Sequence, residues 1–470
     1  MLFQPKLLKE KQGSFRLPER VEAKAHPCLG AAVLGELWQN FALGTSRVTV
    51  SPEKKYVFSV GHAEGLPLEG WEYSINVEKD GICLLAESET GLLHGFMTLL
   101  DRFEAVDREE GTAVEIAACE IRDRALLSGR MVHFCIFPET ELWELSRFVR
   151  LCGFLRFTHI VLEFWGMLKY DCMRELAWRE GYTKEEIRPI IAEARALGLE
   201  VIPMFNHWGH ASAGRVMHGK HVVLDQNPLL QTYFSEDGWC WAIQKPKVRE
   251  LLRSIRRELC ELCGEGRYFH VGCDEAYDYD LNDPEQRAAI CDFLNEISDE
   301  LQEKGRTAIV WGDMFLYRHP HYNPENRYTC NAPTAECERE MLKRLSKRIL
   351  VADWQYDAPH APVETVSVFQ RAGFKTVLCP WDRGQREVSA AVKTAYDEGL
   401  CGILHTTWHT LSCGIFRTVQ AAVESFEGAR EREDTRFYRL GCARILRRVQ
   451  PAGGEYRRAG WAKKQVGEIR

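Results

Sequence analysis

"FHVGCDEAY", residues 269–277, is a β-favouring apolar run that stops on a small residue and is followed at once by two carboxylates, Asp274 and Glu275, with His270 four residues before the first of them. Extended back to Arg267, the run reads as a strand over 267–273. The same shape recurs from about residue 125 onward, at 129–137, 158–165, 199–206, 307–313, 348–354, 375–381 and 401–408. Amphipathic helical stretches separate these runs, as in "TKEEIRPIIAEARALG", where Thr183 and Glu186 form a capping box and Gly198 follows the end. Strands alternating with helices imply parallel pairing through crossovers, and eight of them close a (β/α)8 TIM barrel.

Residues 1–122 have a different rhythm and read as a small α+β domain that precedes the barrel: alternating "EYSINVEKDGICLLAES", turned at Gly81, leads into the helical "TGLLHGFMTLLDRFE". The barrel is expected over 123–440. Residues 441–470 then form a C-terminal helical extension or a tail, and the stretch after its Pro-Gly break is either loose or a helix docking on a partner subunit of an oligomer.

Bulk composition narrows the function classes. The chain has 470 residues, 45% hydrophobic and 27% charged, with a net charge of -7, so it offers no electrostatic case for nucleic acid. The basic "RILRRVQ" near the C-terminus reads as a solvated helix face. The N-terminal stretch lacks a signal-peptide apolar region, and no run of about 18 apolar residues occurs, so no membrane span is expected and the cytoplasm is the expected location. Seventeen cysteines scattered through core-like segments read as reduced thiols, and the C-x-x-C of Cys260 and Cys263 has no second pair to complete a zinc site.

Active sites of such barrels form at the C-terminal strand ends. Projected there are Arg130, His133, Glu163, Asn206, His207, His210, Asp274, Glu275, Trp311, Asp313, Asp353, Trp354, Trp381, Asp382 and Trp408. A metal site through His207 and His210 lacks the usual spacings, and indole walls do nothing for a cation, so neither metal nor cofactor is expected. Acids among aromatic walls suit cleavage of a glycosidic bond, which needs a proton donor for the leaving oxygen and a negative group for an oxocarbenium-like centre. Adjacent carboxylates cannot act from opposite faces of one sugar. They can act if a 2-acetamido group is the nucleophile, with one carboxylate holding the oxazolinium nitrogen and its neighbour protonating the departing oxygen.

The stretch at 269–277 resembles the H-x-G-x-D-E signature of glycoside hydrolase family 20, the β-N-acetylhexosaminidases. "SGRMVHF", "HIVLEFWGMLKYD" and "EEIRPIIAEARALGLEVIPMFNHWGH" resemble that family's first three barrel strands, and the resemblance covers about residues 45–415, closest to the intracellular branch. It implies a retaining exo-enzyme releasing terminal GlcNAc or GalNAc from a glycan or glycoconjugate. It further implies Asp274 as the acetamido-orienting carboxylate, Glu275 as general acid, Arg130 on sugar hydroxyls, and His210 and His270 hydrogen-bonded to the acid pair. Trp311, Trp354 and Trp408 would wall the sugar, Tyr356 would reach the acetamido oxygen, and His133 and Glu163 complete the set, Glu163 as a sugar contact or an ion-pair partner. Two positions depart from the family pattern: Cys135 stands where an aspartate is common, and "WHT" at 408–410 replaces W-x-E. Two other readings stay open: a barrel glycosidase on non-acetamido sugars with Glu163 or Asp313 as nucleophile, and a catalytically silent glycan-binding barrel.

Overall fold

The computed structural model describes residues 2–108, 111–212, 224, 227–429 and 435–451. Eight strands precede the barrel: β1 (Leu7–Arg16), β2 (Arg20–Ala25), β3 (Arg47–Pro52), β4 (Val57–Gly61), β5 (Tyr73–Glu78), β6 (Gly81–Ala86), β7 (Glu104–Arg108) and β8 (Gly111–Asp123). They form one sheet in the order β1-β8-β5-β6-β4-β2-β3, with β7 on β8. The expected hairpin is β5–β6, paired antiparallel from Tyr73↔Ala86 to Glu78↔Gly81 around Lys79 and Asp80. Helix Glu89–Asp101 follows it, capped by the Ser88 side chain on the Gly91 N–H.

β9 (Gly129–Cys135), β10 (His159–Glu163), β11 (Glu200–Met204), β12 (Tyr268–His270), β13 (Thr307–Trp311), β14 (Leu350–Trp354), β15 (Lys375–Cys379) and β16 (Gly402–His405) close a parallel barrel in sequence order. Seven of the eight strands stop short of the C-terminal end of their apolar run, β14 alone running to its last residue, because there the backbone leaves the ladder to carry polar side chains. The helices between them pack outside, and helix Lys184–Ala196 begins with the Thr183–Glu186 capping box. An apolar interior layer of Met131, Val161, Ile202, Ile309, Leu350 and Leu404, among others, fills the barrel beneath its mouth.

The N-terminal unit and the barrel share a core. Phe41 stacks on Phe154 of a barrel helix at 4.8 Å, and Arg150 reaches Glu36 at 2.8 Å. The C-terminal segment is part of this join: helix Thr435–Leu446 runs unbroken through residue 441, with the Tyr438 hydroxyl donating to Glu424. "RILRRVQ" is therefore not simply a solvated face. Ile445 and Val449 are buried, Arg444 pairs with Asp101 of the N-terminal unit, and Arg448 lies over Phe41. Residues 452–470, which hold most of the expected tail, lie outside the described residues. No described helix is long and apolar enough to cross a membrane.

Candidate active site

The acid pair sits in the chain that leaves β12. This strand is only three residues long, and its continuation is held by neighbours: Val271 N–H donates to Ile309 O at 2.9 Å, Trp311 N–H to Gly272 O at 2.9 Å, and His207 N–H to Val271 O at 2.9 Å. Two glycines make this packing fit. Gly272 has φ +69°, and a Cβ there would lie 1.7 Å from Asn206 Oδ1; a Cβ on Gly209 would lie 2.0 Å from the carbonyl oxygen of Asp274. Left-handed non-glycine residues cluster around the same turn, at His210 (φ +55°), Cys273 (φ +77°) and Glu275 (φ +45°), and Trp408 (φ +40°) joins them from the far side. Backbone strain of this kind, of order 1–3 kcal/mol per residue, concentrates where surrounding packing over-determines a functional geometry.

His210 Nε2 lies 3.3 Å from Asp274 Oδ2 and 3.0 Å from Glu275 Oε2, so one imidazole bridges both carboxylates. The other oxygen of Glu275 accepts from the Tyr277 hydroxyl at 2.8 Å, and the Glu275 carbonyl accepts from Trp239 Nε1. Asp274 is 4% exposed, and its Oδ1 meets no hydrogen-bond donor among the described residues. A buried carboxylate oxygen without a donor is costly unless a ligand supplies one.

Asp313 lies behind the pair. Its Oδ2 accepts from the Glu275 N–H at 3.0 Å and from Asn331 Nδ2 at 2.8 Å, and its Oδ1 accepts from Trp354 Nε1 at 2.9 Å. Burial, with the charge of Asp274, pushes its carboxyl up to about 7. Glu163 is similarly committed, accepting from Asn206 Nδ2 at 2.8 Å and paired with His133 Nε2 at 2.8 Å, both acid and imidazole buried. Neither acid lines the cavity that Asp274 and Glu275 face, which weighs against either as a nucleophile.

That cavity, about 500 Å3, has Trp354, Tyr356, Trp381 and Trp408 along one side and His210 and Trp239 beside the acids. The Tyr356 oxygen accepts from Trp408 Nε1 at 2.7 Å, which leaves its own O–H to donate, and burial holds the phenol protonated. Trp408 packs on His133 at 4.7 Å and on Trp311 at 5.9 Å.

Besides Glu163 and its buried partner His133, three more expected site residues stand away from the cavity. Arg130 is the second residue of β9, at the N-terminal end of the barrel. It donates to Arg156 O at 2.9 Å and Leu127 O at 2.7 Å, lies over Phe426 and approaches His94 of the N-terminal unit, so it cannot reach a sugar at the mouth. His270 makes no hydrogen bond to the acids. Its Nδ1 accepts from the Gly272 N–H at 3.1 Å, its ring packs 4.2 Å from Trp311, and burial pushes its pKa far down, keeping it neutral. Trp311 is fully buried beneath Trp408, a floor under the cavity rather than a wall of it. Conversely, sequence reasoning missed Trp239, Tyr277 and Arg383, which sit in irregular connections where no periodicity marks them, and passed over Phe137 at the end of the run 129–137; only closeness to strand ends could have flagged Tyr277 and Arg383.

His207 does not pair with His210 as a metal ligand set: it is buried, with Nδ1 against Phe205 O and its pKa pushed well down by burial. Among the described residues, the one His/Cys/acid group with ligand atoms within 4.8 Å of each other is His26, Cys28 and Glu89, in the N-terminal unit.

Comparison with known proteins agrees with this architecture. The model of the glycosyl hydrolase family 20 catalytic domain matches residues 162–389, and that of the family's domain 2 matches residues 4–124. The chain belongs to glycoside hydrolase family 20. It is 25% identical to bovine hexosaminidase D over 235 residues, 46% of this chain and 60% of that protein. It is 24% identical to a beta-hexosaminidase of Akkermansia muciniphila over 330 residues, 62% of this chain and 64% of that one. Under two thirds of either relative's own length is thus matched. The fold is shared with an exo beta-N-acetylglucosaminidase from Vibrio harveyi (TM-score 0.68, 18% identity, 96% of this chain and 77% of that one). It is shared equally with the beta-N-acetylhexosaminidase of Streptomyces coelicolor A3(2) (TM-score 0.67, 17% identity, 95% of each).

Proposed function

We propose that the protein is a retaining exo-β-N-acetylhexosaminidase that removes terminal GlcNAc or GalNAc by substrate assistance. The observation that carries this reading is Asp274 Oδ1, a buried carboxylate oxygen at the cavity that meets no donor among the described residues. An acetamido N–H supplies that donor, and the Tyr356 O–H, free to donate, suits the acetamido carbonyl. So held, the acetamido oxygen attacks the anomeric carbon as the glycosidic bond breaks. Glu275 gives its proton to the leaving oxygen, and Asp274 stabilises the positive charge on the oxazolinium nitrogen. Glu275, now a carboxylate, then takes a proton from the water that reopens the ring, which restores the acid and retains the anomeric configuration. His210, within 3.3 Å of both acids, is placed to follow that proton transfer. None of the seventeen cysteines forms a disulfide, which suits a reducing compartment such as the cytoplasm.

The test is chromophore release from aryl N-acetyl-β-glucosaminide, aryl N-acetyl-β-galactosaminide and the plain β-glucoside. Turnover confined to the N-acetyl substrates, falling at least 100-fold in Asp274→Asn and Glu275→Gln, is expected. Equal cleavage of the plain glucoside would sink the acetamido mechanism.

A further inference from the structure

In the N-terminal unit, His26, Cys28 and Glu89 bring a ring nitrogen, a thiol and a carboxylate oxygen within 4.8 Å of one another. They come from two segments that β4 holds side by side. The chain leaving β2 is anchored by the His26 N–H on Val57 O at 3.0 Å, and the end of β6 by the Ala86 N–H on Tyr56 O at 3.0 Å. From these adjacent anchors each segment turns into a helix. Pro27 starts a short 3-10 helix, Pro27–Gly30, which sets Cys28 two residues after the histidine, and Ser88 caps the helix that Glu89 opens. The Tyr56 ring packs on the imidazole at 4.9 Å and limits its rotation. Backbone anchoring on both sides thus brings the three side chains together.

In a tetrahedral zinc site, with Zn–S near 2.3 Å and Zn–N and Zn–O near 2.0–2.1 Å, the ligand atoms stand about 3.3–3.6 Å apart. Separations of up to 4.8 Å need to close by about 1.5 Å at most, which rotation of the exposed Glu89 side chain can supply. The Cys28 N–H approaches His26 Nδ1 at 3.4 Å, a contact too long to hold that nitrogen against a metal. Thiolate and imidazole favour zinc over calcium or magnesium. Left without a cation, the group is poorly balanced: burial, with the Glu89 charge, pushes the Cys28 thiol up to about 12, and no described Lys or Arg pairs with Glu89. We infer that His26, Cys28 and Glu89 form a zinc site, completed by water, that clips the β2 end of the N-terminal sheet to helix Glu89–Asp101. The clip joins positions some sixty residues apart and does not depend on the hydrolase reading. On binding, the Cys28 S–H gives its proton to solvent, and sulfur, nitrogen and oxygen each supply an electron pair to the cation, with no change of oxidation state.

The experiment takes the full chain, stripped with a chelator, and titrates it with Co2+ alone and then with Zn2+ as competitor. One Co2+ per chain is expected, with a thiolate-to-cobalt charge-transfer band in the near ultraviolet and the intense visible bands of a four-coordinate centre, and Zn2+ should abolish both. Cys28→Ser should remove the charge-transfer band, and it and Glu89→Gln should each weaken Zn2+ binding tenfold or more. His360→Ala controls for surface histidines, since His360 pairs with Glu325 on the barrel, and should change nothing. Between pH 7 and 8.5 the Zn2+ affinity should rise about tenfold per pH unit, because one thiol proton is displaced. Saturating Zn2+ should raise the thermal midpoint of the wild type by about 2 °C or more, and that of Cys28→Ser by less. A titration without the charge-transfer band, a band that survives in Cys28→Ser, or a wild-type midpoint that saturating Zn2+ leaves unmoved overturns the inference. None of these readouts uses glycosidase turnover, so the proposed function stands or falls separately.

Discussion

Replacing Tyr277 by Phe removes one oxygen from the surroundings of Glu275, the proposed general acid, and leaves the ring in place, stacked on Trp239 with an interplanar angle of 11°. The lost hydroxyl donates to Glu275 Oε1 at 2.8 Å, and burial with the nearby Glu275 charge keeps the phenol protonated and able to donate. A hydrogen bond to a charged group is worth about 1.5–3 kcal/mol when sheltered. Tyr277 is 47% exposed, so water replaces part of the bond, and about 1 kcal/mol is the appropriate figure. Because the phenol stabilises the carboxylate over the acid, losing it makes Glu275 harder to ionise. At 1.36 kcal/mol per pH unit, the alkaline limb of kcat/KM should move up by roughly 0.5–1 unit. The assay is the pH profile of aryl N-acetyl-β-glucosaminide hydrolysis for both proteins. A merely structural tyrosine would leave the limb where it is, and that result refutes the reasoning. So does a downward shift, which would mean that the phenol accepts from the protonated acid.

Gly272→Ala forces a Cβ against Asn206 in a left-handed turn, and Gly209→Ala forces one onto the Asp274 carbonyl; each should cut kcat at least 100-fold while the circular dichroism spectrum stays that of the folded chain. Arg130→Leu should lower stability by about 2–3 kcal/mol in denaturant titration, by stranding the buried carbonyls of Arg156 and Leu127, with KM changed less than twofold. Asp313 has its carboxyl raised to about 7, so between pH 4 and 7 the folded state binds more protons than the unfolded one and stability falls as pH rises. The fall should be no more than about 4 kcal/mol over that span, and the Asp313→Asn curve should be flatter in urea titrations at stepped pH.

All eight barrel strands were legible because a buried parallel strand is a short apolar run bounded by helices, a signal held within a few residues. The order of the N-terminal sheet was not, since β1 pairs β8 across about a hundred residues and no local pattern encodes that partnership. Asp274 and Glu275 were legible from their motif, whereas Arg130 was misplaced for a geometric reason. It stands five residues before the end of β9, and at about 3.3 Å per residue that is some 16 Å below the mouth, so counting along the strand would have corrected it. Asp313 showed as an acid at a strand end, but its work of gripping the Glu275 amide and the Trp354 indole emerges only when three separate connections meet.

The turn that presents the acid pair is clamped by main-chain contacts, by Asp313 on the Glu275 N–H and by the absence of side chains at Gly209 and Gly272, to which the acid side chains add their contacts with His210 and Tyr277. Scaffold and chemistry are therefore separable in this protein. A chain carrying Asn at 274 or Gln at 275 should keep its aromatic pocket and lose turnover, and so become a sugar-capturing reagent. By the same token a lineage could pass from hydrolase to receptor through one or two substitutions, without any intermediate that fails to fold.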